Sequence, residues 1–278
     1  IKYWCEPAEN LSTEWIGKRM YQPNYEEIIK SAIYPNNENN YYIEEMRYPK
    51  SGGYKTFFSH IADNLNIKLN HKVTNIDFKE KKVSFENGST VSYTNLISSL
   101  PLPEIIKLID QVPEDVKLAS TKLYATSIIL ISIGFKKLIK FPSLWFYIYD
   151  LDIPFARAHS PSMKSPNNAP HGKSSIQCEV YFSKNLDEES FNTITSRVLN
   201  SLYKMGICIS DDIEIVDKRI VKYANVVFFT GMQIYRKKVL DFLNINNISS
   251  IGRFGEWDYL WSNQSFISGY NAGLKIKK

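Results

Sequence analysis

Gly252-Arg253-Phe254-Gly255-Glu256-Trp257-Asp258-Tyr259-Leu260-Trp261-Ser262-Asn263-Gln264-Ser265-Phe266-Ile267-Ser268-Gly269 is the stretch on which the reading of this chain turns. The apolar residues just before it, 248–251, read as a short strand. Gly252 and Gly255 carry no Cβ, so backbone can approach something flat or charged. Arg253 stands between them with a fixed fork of donors. Asn263, Gln264 and Ser265 read as a helix start, where free N–H groups point outward at partial positive charge. Gly269 and Gly273 lie four apart, which leaves one face of that helix bare for close packing. The set suits an anionic, partly aromatic ligand. A strand–turn–helix with a structural arginine explains any one of these residues equally well; the whole run favours the ligand.

Bulk composition narrows the rest. The chain has 278 residues, enough for one large or two smaller domains. Its 44% hydrophobic and 23% charged content is that of an ordinary globular protein. Eighteen tyrosines raise the aromatic share to 14% and suit a site that stacks rings. A net charge of +5 with no basic stripe argues against a nucleic-acid groove. The three cysteines, Cys5, Cys178 and Cys208, lie far apart, so free thiols and a reducing, cytoplasmic setting are expected. The four histidines lack metal-ligand spacing. No apolar run reaches the length of a membrane span.

Along the chain, Pro23 and Asn24 open a helix with Tyr25, Ile28, Ile29 and Ile33 at helical spacing. A second helix follows Gly52 and Gly53, with Phe57, Phe58, Ile61 and Leu65 as its core stripe. Residues 67–69 and 73–78 alternate as strands. Residues 83–85 and 91–93 flank Asn87-Gly88, a hairpin signal. A buried strand at 96–100 stops at Pro101, and a short helix spans 103–109. Strands are expected at 123–135, 144–149, 175–182, 213–216 and 220–227, with a surface loop at 160–173. Phe191, Ile194, Val198, Leu202 and Met205 make a helical core stripe. The fold class is α+β with part of an α/β cofactor-binding fold, its substrate-domain sheet mixed or antiparallel.

The C-terminal run resembles the FAD-contacting end of the flavin amine oxidase and UDP-galactopyranose mutase group. That resemblance implies that Arg253, Gly252, Gly255, Asn263, Gln264 and Ser265 contact FAD, with Gly52 and Gly53, in Arg47-Tyr48-Pro49-Lys50-Ser51-Gly52-Gly53, near the flavin ring. A FAD enzyme also needs a strand–GxGxxG–helix unit for the ADP half, and this sequence has none. The expectation is therefore a C-terminal fragment whose N-terminal Rossmann unit is missing. Its segments are 1–66 bordering the substrate cleft, 67–110 returning to the FAD domain, 111–245 as substrate domain and 246–278 as FAD-contacting end.

Further spaced features are similar to the mutase branch. Trp4, Pro7 and then Glu14-Trp15-Ile16-Gly17-Lys18-Arg19 match one segment; Trp145, Tyr147 and Pro154-Phe155-Ala156-Arg157 match another. The resemblance implies that Trp4 lines a uridine pocket and that Arg19, Tyr147, Arg157 and Tyr259 meet a diphosphate, with Trp145 beside them. Each has a plain alternative: Arg19 on a helix surface, Arg157 paired with Asp150 or Asp152, Tyr147 in a core. The family's loop tyrosine has only Tyr235 as a counterpart. The implied activity is isomerisation of a UDP-sugar for cell-surface polysaccharide. It uses reduced FAD, whose N5 rather than any side chain here is the nucleophile. Alternatives are an amine oxidase or protoporphyrinogen oxidase-like oxidoreductase, and a non-catalytic carbohydrate- or protein-binding remnant.

Overall fold

The β-branched run before residue 136 becomes the core strand of a five-stranded sheet, because its alternate residues bury on one side against a helix. The computed structural model describes residues 1–16, 23–34, 47–183 and 188–276. Arg19 and the turn expected at 35–40 lie outside the described residues. In chain order the elements are α1 (Tyr25–Ile33), α2 (Thr56–Ala62), β1 (Val73–Asp77), β2 (Lys82–Phe85), β3 (Thr90–Ser92), β4 (Leu96–Ser98), α3 (Leu102–Lys107) and α4 (Glu114–Lys122). There follow β5 (Ala125–Phe135), β6 (Trp145–Tyr147), β7 (Arg157–His159), α5 (Pro161–Lys164), β8 (Ser174–Phe182), α6 (Glu188–Lys204) and β9 (Ile213–Val226). The chain closes with α7 (Met232–Ile245), β10 (Ile248–Ser250), α8 (Gly252–Gly255) and α9 (Ser262–Ile276).

The large sheet runs β6-β7-β8-β5-β9, and its paired strands are antiparallel. Ile129, Ile131, Ile133 and Phe135 turn to one face and pack with Val198 and Leu202 of α6, as the helical stripe implied. The opposite face is partly covered: Thr126 and Ile128 are buried on it, and Tyr3 packs there on Tyr181. Where two strands were expected, β9 is one strand through Asp217, Lys218 and Arg219. Those charges are tolerated because β9 is an edge strand whose side chains reach solvent.

A second core gathers β1, β2, α3, α4, α7 and β10 around the fully buried Trp257. The β2–β3 hairpin forms across Asn87-Gly88 as expected, with Gly88 at φ 81°. Strands β4 and β10 pair in parallel, which is the α/β part of an otherwise α+β fold. Gly255 lets the chain come close there: a Cβ on it would stand 3.1 Å from the Ser98 carbonyl oxygen.

Two expectations fail. Residues 67–69 form no strand, and Ile67 and Leu69 are exposed. Phe57, Phe58, Ile61 and Leu65 are not core; they are 38–59% exposed. Helical spacing marks a face as apolar, but whether anything covers that face depends on the neighbours. α1 forms as read, held by a capping box between Asn24 and Glu27, and its Ile28, Ile29 and Ile33 are likewise exposed.

Glu104 of α3 ties the second core to β9 of the large sheet, since it accepts from Tyr223 and Lys222 of β9 and from Lys107. Burial works against its charge, but these hydrogen bonds outweigh it and hold the carboxyl down at about 2. A carboxylate depressed in the folded state adds stability above its ordinary value of about 4.5, and loses it as pH falls toward about 2. Urea unfolding should show Glu104→Gln less stable than wild type at neutral pH. The gap should close by about pH 2, and a constant gap would refute the assignment. Separately, Gly255→Ala should cost about 1–2 kcal/mol in the same assay, since backbone cannot yield to the added methyl.

Candidate functional site

Strand register brings the first residues of the site together. Tyr147 lies opposite Arg157, and Arg157 opposite Glu179; directly opposed residues project from the same face. Tyr181, two residues beyond Glu179, shares that face. Arg157 Nε and Nη2 donate to the two carboxylate oxygens of Glu179, each at 2.9 Å. The Tyr181 hydroxyl donates to Oε2 at 2.5 Å. Glu179 is buried, so it needs these partners. Burial opposes the Arg157 charge, but Glu179 outweighs it and raises the pKa above the ordinary arginine value. Burial also pushes the Tyr3 and Tyr181 phenols upward, so both remain protonated donors.

The C-terminal stretch reaches the same place. Arg253 Nη2 donates to Asn225 Oδ1 at 2.8 Å, and its guanidinium lies 4.3 Å from the centre of the Tyr259 ring. The Tyr259 and Tyr3 hydroxyls are 3.0 Å apart. The Tyr3 ring in turn lies 6.0 Å from the Arg157 guanidinium and 4.7 Å from the Tyr181 ring. One chain of contacts therefore runs from Glu179 to Asn225 around a cleft of about 380 Å³. Two guanidiniums, one carboxylate and four tyrosines line it. That set suits an anion with several oxygens. A larger groove of about 650 Å³, where Tyr235 packs against Phe229, lies elsewhere and has Glu6, Glu9 and Lys122 on its walls. The smaller cleft is the better candidate because its guanidiniums converge. Tyr235 takes no part in it.

Of the residues singled out from sequence, Tyr147, Arg157, Arg253 and Tyr259 line the cleft. Arg157 pairs with Glu179 rather than Asp150 or Asp152; the Asp150 carbonyl instead accepts from Lys2 Nζ at 2.8 Å. Trp145 shares the open sheet face one row away, opposite His159. Trp4 packs on Trp15 at 4.8 Å and on Tyr259 at 5.6 Å, bracing the wall of the cleft from behind. Gly52 and Gly53 take positive φ in a segment anchored beside α5: Ser165 Oγ donates to the Lys50 carbonyl at 2.6 Å. The Gly252 N–H is taken by Ser268 Oγ at 2.9 Å, and Gly255 approaches Ser98, so both glycines serve contacts of the chain with itself. Gln264 Oε1 accepts from the Trp261 N–H at 2.8 Å and caps α9. Asn263 is exposed in its first turn, and Ser265 lies against Gly252.

Tyr3, Glu179, Tyr181 and Asn225 escaped the sequence reading. A signal was present for two of them. Glu179 is a charge between Cys178 and Val180 in a strand, and Asn225 is an amide just before Val226-Val227-Phe228. A buried polar residue in such a run requires a partner.

The sequence pattern of the family described as flavin containing amine oxidoreductase matches residues 7–249. A crystal structure of reduced UDP-galactopyranose mutase is similar at a TM-score of 0.88 and 24% identity, covering 98% of this chain and 60% of that one. A protein described as a protoporphyrinogen oxidase from Exiguobacterium gives 0.63 at 13% identity, covering 81% of this chain and 51% of that one. A CLA-producing fatty acid isomerase from P. acnes gives 0.60 at 14%, covering 81% and 52%. These likenesses show a shared fold. The chain spans 60% of the length of the mutase chain and about half of the other two.

Glu179→Ala should destabilise the chain by about 2–3 kcal/mol in urea unfolding, because it strands a half-buried guanidinium. The double change of Arg157→Met with Glu179→Met should recover much of that loss. Equal losses in the single and double variants would contradict a coupled pair.

Proposed function

This chain belongs to the flavin containing amine oxidoreductase family, and on that premise we propose that the complete protein is an FAD-dependent sugar-nucleotide mutase. It interconverts UDP-galactopyranose and UDP-galactofuranose, or a close relative, with flavin in the reduced state. The observation that carries this reading is the convergence of Arg157, Tyr147, Tyr3, Tyr259 and Arg253 on one cleft. A diphosphate presents several anionic oxygens to such donors, and a simple amine presents none. The likeness to reduced UDP-galactopyranose mutase supports the same reading through the fold.

A flavin fits the Arg253 end of the cleft. Arg253 Nε is buried without an acceptor among the described residues, and so is Asn225 Nδ2. The other Arg253 contacts are with neutral groups, Asn225 Oδ1 and the Leu260 carbonyl. Arg253 with the 252–255 turn would hold the ring system. Asn263, Gln264 and Ser265 at the start of α9 would face the ribityl and phosphate portion, with Gly52 and Gly53 on the other side. The ADP half calls for a cradle that this sequence does not contain, so this chain alone neither retains FAD tightly nor turns over.

Bound reduced flavin would supply the nucleophile that frees UDP from the anomeric carbon. Arg157, fixed by Glu179, orients the diphosphate through its remaining N–H groups, and Tyr147 and Tyr259 add hydroxyl donors. These contacts keep the leaving group near enough to return. Trp145 offers a ring face at the open rim for the uracil, while Trp4 braces Tyr259. Arg19 is a further candidate for the diphosphate. In this reading segments 1–66 and 111–245 bear the substrate, and 67–110 with 246–278 join the cofactor half. The reaction belongs to the cytoplasm and feeds surface-polysaccharide assembly.

Incubating the complete protein with UDP-galactopyranose, with and without dithionite, tests the proposal by chromatography of the products. Furanose should form only under reduction. Absence of isomerisation, with peroxide release from an amine or porphyrinogen in oxygen, would assign the protein to the oxidase side of the family.

A further inference from the structure

The two arginines of the cleft are held in different ways. Arg157 meets Glu179 in a bidentate pair, so its charge is balanced within the wall. Arg253 forms no ion pair among the described residues. Its Nη2 donates to Asn225 Oδ1 at 2.8 Å and its Nη1 to the Leu260 carbonyl at 3.4 Å, while the centre of the Tyr259 ring lies 4.3 Å away. All three partners are neutral. The acidic residues nearest to Arg253 in the sequence are turned elsewhere. Asp258 accepts from Arg236 Nη2 at 3.3 Å, and Glu256 accepts from the Ser268 hydroxyl.

Asn225 is firmly placed. It is only 4% exposed, and it lies opposite the buried Thr126 of β5, whose Oγ1 accepts from the Asn225 N–H at 3.2 Å. The amide cannot be turned over, because Nδ2 would then face a guanidinium donor. An aspartate of the same size would supply the counter-ion that a half-buried guanidinium ordinarily needs. The amide instead orients Arg253 and leaves its charge uncompensated. Of the charged residues lining the cleft, Arg157 and Glu179 balance each other, so the net positive charge lies at the Arg253 end.

We propose that Asn225 is a positioning residue whose neutrality sets the redox preference of the bound flavin. It fixes Arg253 with its full charge, and that charge favours the reduced, anionic ring over the oxidised, neutral one. The proposal rests on the flavin reading of the Arg253 end and extends it. Reduction to the anion adds two electrons and one proton, drawn from an external reductant such as dithionite, so the ring gains one negative charge. A fixed cation in a partly buried wall stabilises that charge more than water would.

Spectroelectrochemical titration of the complete protein loaded with FAD tests this in wild type, Asn225→Asp and Asn225→Leu. Asn225→Asp keeps the bond to Arg253 and cancels its charge. Its preference for reduced over oxidised FAD should fall roughly tenfold or more, which lowers the potential by about 30 mV or more for a two-electron couple. Asn225→Leu loses the bond but adds no counter-charge, so its potential should fall less. A purely structural role predicts the reverse order, with Asn225→Asp near wild type and Asn225→Leu the more affected. That order, or equal potentials in all three proteins, overturns the proposal and leaves the flavin reading standing. Wild type that binds FAD in neither redox state overturns both. If Asn225→Asp does not fold, Arg253→Lys and Arg253→Met decide. Arg253→Lys should hold the wild-type potential and Arg253→Met should lower it; equal potentials overturn the proposal.

Discussion

The pair between Arg157 and Glu179 sits where three strands of the sheet turn their open face toward the N-terminal segment. Glu179 is buried and cannot remain charged without close donors, and Arg157 cannot lie half-buried without a close carboxylate. Each therefore fixes the other. Tyr181 closes on the same carboxylate, the Tyr3 ring packs against Tyr181 at a tilt, and the Tyr3 hydroxyl meets that of Tyr259. The sheet is thereby joined to the C-terminal stretch through side chains that also line the cleft. What positions the site and what ties this part of the molecule together are the same contacts.

The cleft lies at the seam between two cores of different make-up. One is a β-sheet covered by α6; the other is a helical cluster around Trp257 with a short parallel strand pair. Glu104 joins α3 to β9, and Arg253 joins the C-terminal stretch to Asn225 near the end of the same strand. Both links are polar and directional, so they fix orientation rather than merely bury area. The walls of the cleft come from elements far apart in the chain, and these links hold them in register.

Electrostatics within the cleft follow from burial as much as from charge. Tyr3 and Tyr181 are kept protonated by desolvation, His159 is kept neutral by burial and the neighbouring Lys164, and Arg157 keeps its charge through Glu179. The result is a set of donors with little competing acceptor capacity. Such a surface favours oxyanions over amines irrespective of shape.

Local pattern in the sequence was enough to determine the hairpin at Asn87-Gly88, the α6 stripe, the long strand β5 and the strand–turn–helix at the C-terminus. Each depends on periodicity or on glycine stereochemistry within a few residues. Arg253 stands out by its glycine-flanked setting, whereas Tyr147, Arg157 and Tyr259 were marked by resemblance to the mutase pattern. Tertiary structure alone decided their partners. Glu179 meets Arg157 through the register of β7 against β8, and Tyr3 meets Tyr259 across 256 residues of chain. It also decided that Trp4 braces a wall, that Gly255 approaches Ser98, and that Phe57 and Ile61 remain exposed. Periodicity tells which residues share a face; only the folded chain decides what that face meets, because contacts between distant segments are set by packing and register.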